Sequence, residues 1–264
     1  MTRLAILGAA GRMGQTLLRC AKSQADLQTV AAIEVAGHAA LGQDAGLLAG
    51  IGPIQVPITA TIPADVQVVI DFTFHTAAPA TLKAAVAGHE AVVLGTTGLT
   101  TDEQACVHQA ARQIPIVWAP NMSLGVNVLL DLVRRAAAIL GPDYDAEIVE
   151  MHHHFKKDAP SGTALALAES LAQGRGVALK DVVCYGREGM TGERPRGEIA
   201  IHALRGGDVV GDHTVMFATE GERVEITHRA SSREAFARGA LRAAAWVQGR
   251  QPGIYTMRHV LGLD

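Results

Sequence analysis

Leu4-Ala5-Ile6-Leu7-Gly8-Ala9-Ala10-Gly11-Arg12-Met13-Gly14 is the stretch that decides the fold. Four apolar residues in a row suit a buried strand, and Leu17, Leu18 and Ala21 then recur at helical spacing. Strand, glycine turn, helix is the context in which such a loop cradles phosphate. Glycines let the backbone come close, and a helix start supplies N–H groups and the positive end of its dipole. The spacing is G-x-x-G-x-x-G, not the commoner G-x-G-x-x-G, so the loop carries weight only through its flanking elements.

Working outward, a second strand over residues 30–33 ends at Glu34. That distance from the loop suits an acid that hydrogen-bonds an adenosine ribose. Val35 follows where a basic residue would grip a 2′-phosphate, and Arg12 inside the loop is a partial substitute. The choice between NADH and NADPH stays open, with a lean to NADH or dual use. Residues 36–65 are rich in Gly, Ala and Pro and show no clear period. Strand patterns over 66–72, 91–94 and 114–118 then alternate with helical patterns over 77–87 and 101–112. Such alternation means a parallel sheet with crossovers. Ligands of these sheets sit at the carboxyl ends of the strands. Gly8 to Gly14, Gly95-Thr96-Thr97 and Ala119-Pro120-Asn121-Met122 fall there.

After a helical pattern over 127–140 and Gly141-Pro142 the composition changes. A strand over 145–151 leads into Glu150-Met151-His152-His153-His154-Phe155-Lys156-Lys157-Asp158-Ala159-Pro160-Ser161-Gly162-Thr163, and a helix opens at Ser161. Residues 174–195 read as a long polar loop. Strands follow near 199–203, 209–219 and 223–228, with 206–208 and 220–222 as turns of hairpin length. An Ala-rich helix over 233–248 and a short tail close the chain. The predicted fold class is α/β. A Rossmann-like dinucleotide-binding domain spans 1–122 plus 233–264. A second, α+β domain over 123–232, for substrate binding and oligomerisation, is built on an open mixed, largely antiparallel sheet.

Composition narrows the function. The 264 residues are 48% hydrophobic and carry a net charge of -3, which argues against a general nucleic-acid binder. Cys20, Cys106 and Cys184 are widely spaced and read as reduced thiols. No apolar run reaches the roughly 18 residues of a membrane span, and Met1-Thr2-Arg3 leads straight into a strand, so a cytoplasmic protein without membrane partners is expected. Only five lysines stand against eighteen arginines, yet two of the five fall between His152 and Lys157. A lysine can give up a proton where an arginine does not. Alternation along a strand puts His152 and His154 on one face and His153 on the other, which disfavours one metal held by all three, and no metal is expected. His202, His213 and His228 lie on strand patterns and read as structural.

The stretch from Glu150 to Ala164 resembles the signature of the dihydrodipicolinate reductase family. The resemblance continues through Gly8 to Gly14, Gly95-Thr96-Thr97-Gly98, Ala119-Pro120-Asn121, residues 205–215, residues 227–233 and residues 252–257. It implies an NAD(P)H-dependent reduction of 4-hydroxy-tetrahydrodipicolinate to tetrahydrodipicolinate in lysine and diaminopimelate biosynthesis. The implied substrate is a cyclic imine dicarboxylate, formed once the 4-hydroxy precursor loses water. The implied catalytic residues are His152, the acid-base group, and Lys156, the proton donor. His153, Gly162 and Thr163 would bind the substrate, and Arg233 would border that pocket. Gly8, Ala9, Ala10, Gly11, Arg12, Met13, Glu34, Gly95, Thr96, Thr97, Ala119, Pro120, Asn121 and Met122 would hold the coenzyme. The family also implies a cytoplasmic homotetramer.

The residues give the same picture a physical basis. The first N–H groups of a helix lack intrahelical partners, so Gly162 and Thr163 suit a carboxylate, with Ser161 as cap. Lys156 is expected among cations, a setting that favours proton release. The chain departs from the family pattern at Phe74-His75, where proline is expected at 75, and at His154, Phe155 and Lys157. Two other readings are an amino-acid or semialdehyde dehydrogenase and a non-catalytic dinucleotide sensor. The first lacks the His-His-x-x-Lys run, and the joint presence of His152 and Lys156 speaks against the second.

Overall fold

The computed structural model describes residues 1–263; Asp264, the last residue of the expected first domain, lies outside the described residues. In chain order the elements are β1 (Thr2–Leu7), α1 (Arg12–Ala21), β2 (Leu27–Ile33), α2 (Ala45–Leu48), β3 (Ile58–Thr59), β4 (Val68–Asp71), α3 (Ala78–Gly88), β5 (Ala91–Leu94), α4 (Thr101–Ala110), β6 (Pro115–Trp118) and α5 (Leu124–Leu140). There follow β7 (Asp145–His152), α6 (Gly162–Arg175), α7 (Leu179–Val182), β8 (Val183–Tyr185), β9 (Ile199–Arg205), β10 (Gly211–Thr219), β11 (Glu222–Ala230), α8 (Glu234–Val247), β12 (Gly253–Tyr255) and α9 (Met257–Leu261). They form two compact units: Met1–Leu124 with the segment from Arg233 onward, and Gly125–Ser232.

The first unit holds a seven-stranded sheet in the order β12-β6-β5-β4-β1-β2-β3, parallel throughout. Helices cover both faces, which is why β4 and β5 are buried along their length and, apart from Asp71 at the end of β4, apolar instead of alternating. Leu4, Ile6 and Val68 pack with α1 and with Ala240, Leu241 and Ala244 of α8. Ala5, Val69 and Val92 pack on the other side with Leu82 of α3 and Val107 of α4. A Cβ at Gly239 of α8 would lie 1.7 Å from the Met122 carbonyl oxygen, so this helix is seated where only glycine fits.

Two stretches of this unit differ from the expectation. Residues 36–65 hold α2, capped by the Asp44 carboxylate, which accepts from the Gly46 and Leu47 N–H groups, and the two-residue edge strand β3. The closing tail contains β12, which pairs with β6. Elements this short span no full period, and their pairing is decided by distant partners.

The second unit holds a five-stranded sheet in the order β11-β10-β7-β9-β8. β10 runs antiparallel to β11, in the longest ladder, and to β7; β9 runs parallel to β7 and β8. Ile148, Ile201, Val215 and Phe217 pack against Leu129 and Val133 of α5 and Leu167 and Leu171 of α6. The stretch read as a polar loop contains α7 and β8. Residues 206–208 are not a hairpin turn, because β7 lies between β9 and β10. Two glycines in a row look locally like a tight turn, but the inserted strand comes from far away in sequence. The consequence for the site is direct. At the end of β7, His152 pairs with Arg205 of β9, and Glu150 pairs with His213 of β10. No helix among the described residues is long and apolar enough to cross a membrane.

Candidate active site

In the first unit a cleft of about 1100 Å³ opens at the glycine loop; Glu34, Val35, residues 60–64, Phe74 and Arg233 also line it. Gly8 has φ 63, in the region that favours glycine, and turns the chain from β1 into the loop. A Cβ at Gly14 would lie 2.1 Å from the Gly8 carbonyl oxygen and 2.6 Å from the Ala9 Cα, so α1 sits directly against the loop. Gly11 caps α1 without a side-chain hydrogen bond. A helix start left uncapped by side chains, behind a cradle that a Cβ would fill, fits a dinucleotide pyrophosphate. The Ala10 N–H donates to Glu34 Oε1 at 2.9 Å, so Glu34 braces the loop as well as facing the cleft.

Of the expected coenzyme residues, Gly8, Gly11, Arg12, Met13 and Glu34 line this cleft, and Ala9 and Ala10 belong to the loop behind it. Gly95, Thr96 and Thr97 follow β5, and Ala119, Pro120, Asn121 and Met122 follow β6; none of these seven lines it. The Thr96 hydroxyl is turned inward, 3.2 Å from both Asp71 Oδ1 and the Thr73 carbonyl oxygen, and so ties the ends of β4 and β5 together. Ala119 and Met122 are buried in the core, the Ala119 N–H donating to the Leu94 carbonyl oxygen at 3.3 Å and the Met122 carbonyl oxygen facing Gly239 of α8. The cleft is also lined by Glu90, 3% exposed, whose Oε2 has no hydrogen-bond partner. Burial pushes its carboxyl up to about 7.

In the second unit, β7 turns Ala146, Ile148, Glu150 and His152 to its buried face. The first two join the apolar layer; the last two begin a polar cluster. Glu150 is fully buried and receives four hydrogen bonds. Its Oε2 accepts from His152 Nδ1 at 2.6 Å and from Arg205 Nη1 at 2.8 Å. Its Oε1 accepts from the Ser161 N–H at 3.0 Å and from Arg205 Nη2 at 2.9 Å. Burial alone would raise this carboxyl, but the Arg205 guanidinium, His152 and the Ser161 N–H outweigh it and hold the group below its ordinary value. Arg205 Nη2 also donates to the Asp158 carbonyl oxygen at 2.6 Å, which fastens the loop after β7.

Ser161 caps α6, its hydroxyl oxygen accepting from the Ala164 N–H at 3.1 Å. The same hydroxyl lies 2.9 Å from His213 Nε2. His213 was expected to be structural; the structure places it in the cluster, its ring 5.2 Å from that of His152 and edge-on to it. Burial first, and the neighbouring His152 next, push His213 down to about 4, so it is neutral at pH 7. His202 points elsewhere, with Nε2 2.6 Å from Glu147 Oε2.

The strand ends at His152, one residue later than expected. His153 then donates its N–H to the Val209 carbonyl oxygen at 2.8 Å, and its Nδ1 is buried with no partner in the protein. Gly162 is exposed at the start of α6, with Thr163 half-buried beside it. Lys156 Nζ lies 2.9 Å from both oxygens of Asp158. Its direct contact is thus a carboxylate and not the expected cations, Lys157 or a protonated histidine, because the turn brings Asp158 back to the amine. Among the described residues no group of three or more His, Cys, Asp or Glu is arranged to hold a metal ion.

Sequence reasoning missed the roles of Glu150, Arg205 and His213 in this cluster. The signal for Glu150 was present, two residues before His152 on an alternating strand. Arg205 and His213 are brought in by the sheet order, which has no local signature.

A model of the N-terminus of dihydrodipicolinate reductases matches residues 2–122, and one of their C-terminus matches residues 125–261. The chain belongs to the dihydrodipicolinate reductase family. A 4-hydroxy-tetrahydrodipicolinate reductase of Anaeromyxobacter dehalogenans is 53% identical over 266 residues, covering 100% of this chain and 98% of the relative. One from Hahella chejuensis is 48% identical and covers 100% of both. Among solved structures, a dipicolinate-bound dihydrodipicolinate reductase from Paenisporosarcina sp. TG-14 superposes with a TM-score of 0.73 at 23% identity, over 97% of each chain. At that identity the likeness speaks to the fold. The C-terminal reductase model takes in α8, β12 and α9, which fold with the first unit.

Proposed function

We propose that His152 and Lys156 deliver the proton, and that His153 and the start of α6 at Gly162 and Thr163 hold the carboxylates, in the reduction of 4-hydroxy-tetrahydrodipicolinate that membership of the family gives this chain. The chain is an NAD(P)H-dependent oxidoreductase of lysine and diaminopimelate biosynthesis. One observation carries the assignment of roles: a single buried carboxylate, Glu150, holds both the His152 ring and the N–H of the residue that opens α6. A titratable ring and a helix start suited to an anion are thereby fixed to one atom group, as protonation of a bound dianion requires.

The first unit serves as the dinucleotide-binding domain and the second as the substrate-binding and oligomerisation domain. Gly8, Ala9, Ala10, Gly11, Arg12, Met13 and Glu34 form the coenzyme cradle; Gly95, Thr96, Thr97, Ala119, Pro120, Asn121 and Met122 complete it. When bound, the reduced nicotinamide supplies the hydride. Val35 is exposed in the cleft and carries no charge to grip a 2′-phosphate, while Arg12 does, which supports NADH or dual use. His152, seated on Glu150, holds a proton at the substrate side, and Lys156 supplies the one that is transferred. The family resemblance supports a cytoplasmic homotetramer assembled through the second unit.

The test supplies the condensation product of pyruvate and aspartate semialdehyde with NADH or NADPH. Coenzyme oxidation that depends on this product is expected, with NADH at least as good as NADPH. Oxidation of neither coenzyme overturns the reading.

A further inference from the structure

We infer that Glu150 is the positioning residue of this reaction: by taking the Nδ1–H of His152 it fixes the ring tautomer and turns Nε2 toward the space that Gly211 leaves open. The inference rests on the reading that His152 handles a proton.

The tautomer follows from the hydrogen-bond inventory. Two N–H groups of Arg205 and the N–H of Ser161 are donors that cannot reverse. Facing them, the Glu150 carboxylate is ionised and can only accept. His152 Nδ1, 2.6 Å from Oε2, must therefore be the donor. In the neutral ring this leaves Nε2 without a proton, so Nε2 is the atom that gains and loses one. An aspartate or glutamate behind a catalytic imidazole sets the tautomer in the same way in hydrolytic triads.

The surroundings of Nε2 support the assignment. Gly211 and His213 share the buried face of β10. A Cβ at residue 211 would lie 3.0 Å from His152 Nε2 and 3.6 Å from His213 Cε1. The backbone of Gly211 does not require glycine, since its φ is not among the positive values of the chain. What crowds a side chain there is the imidazole nitrogen itself, which a Cβ would meet more tightly than an ordinary van der Waals contact. The His152 ring meets Glu150 from its own strand and His213 from β10, while Arg205, its register partner on β9, and the Ser161 N–H hold Glu150 from the other side. The edge-on His213 ring, itself held by Ser161, closes one side of the imidazole and keeps it from swinging off Glu150. Because Glu150 also holds the Ser161 N–H, it fixes the imidazole that carries Nε2 and the start of α6 to one carboxylate.

The experiment reads the histidine ring nitrogens of the full chain by two-bond nitrogen–proton NMR, with His152→Asn identifying the signal. The unaltered protein is expected to show His152 as the Nδ1–H tautomer wherever its ring is neutral. Glu150→Gln sets an amide NH2 against donors already in place, so the exclusive Nδ1–H tautomer is lost and kcat falls by about 10²–10⁴-fold with a much smaller change in KM. Glu150→Asp recovers part of kcat. Gly211→Ala keeps the tautomer but crowds Nε2, and lowers kcat at least tenfold. Should Glu150→Gln fail to fold, the spectrum of the unaltered protein and the Gly211→Ala kinetics still decide. An Nε2–H tautomer in the unaltered protein, or full turnover in Gly211→Ala, overturns the inference. Absence of turnover on the expected substrate rejects the reductase reading instead, and the tautomer is measured independently of it.

Discussion

Arg205→Met tests how the polar cluster is held together. Arg205 makes two hydrogen bonds, at 2.8 and 2.9 Å, to a carboxylate with no exposed surface, and a third, at 2.6 Å, to the Asp158 carbonyl oxygen. Methionine keeps much of the apolar stem, so the change isolates the guanidinium. Glu150 then keeps only His152 and the Ser161 N–H against complete burial. Removing one partner of a buried ion pair costs about 3–5 kcal/mol. The pH dependence has a definite sign. In the unaltered chain the depressed Glu150 carboxyl adds stability that is present above its ordinary value of 4.5 and lost as pH falls through its lower folded value. In the variant only His152 and the Ser161 N–H still oppose burial, so the deficit is largest near neutrality and shrinks as the carboxyl protonates in acid. Hydrogen exchange of the Ser161 amide and of the β7 amides is the assay. At pH 7 exchange should accelerate by roughly two to four powers of ten, the equivalent of that energy. An acceleration below tenfold, or one that does not diminish in acid, would refute the account of Glu150 as a buried, Arg-held anion.

Three further outcomes follow from the same physics. Glu90 has its carboxyl raised to about 7 from 4.5, so the folded chain loses up to about 3 kcal/mol as pH rises between those values; Glu90→Gln should melt at higher temperature than the parent at pH 8 and show little gain at pH 4. His213 is lowered to about 4 from 6.5, so stability falls as pH drops through that window; His213→Gln should flatten the acid side of the melting-temperature profile between pH 6.5 and 4. Gly14→Ala places a methyl 2.1 Å from the Gly8 carbonyl oxygen, and dinucleotide titration by calorimetry should show coenzyme affinity reduced at least tenfold, whereas unchanged affinity would remove the glycine loop from the coenzyme site.

The first unit was largely legible because its signals are local. An apolar run, a glycine loop and a helical period lie within about twenty residues, and alternation of strands with helices leaves few topologies open. The second unit was legible in its elements but not in its order. The Gly206-Gly207 turn looked like a hairpin, and β7 between β9 and β10 made it a crossover instead. That same insertion created the cluster, since it alone brings Arg205 and His213 beside Glu150 and His152. The motif around His152 therefore marked a buried polar cluster while concealing what holds it. Lys156 shows the limit from the other side. The histidines and Lys157 around it suggested a cationic setting, but the turn sets the carboxylate of Asp158, two residues on, against its amine.

Whether His152 and Lys156 supply the proton is decided by the turnover of Lys156→Ala with saturating coenzyme. With Lys156 as donor, kcat falls by about 10²–10⁴-fold, with the coenzyme KM unchanged and the fold intact by circular dichroism. Turnover within threefold of the unaltered protein would contradict that role.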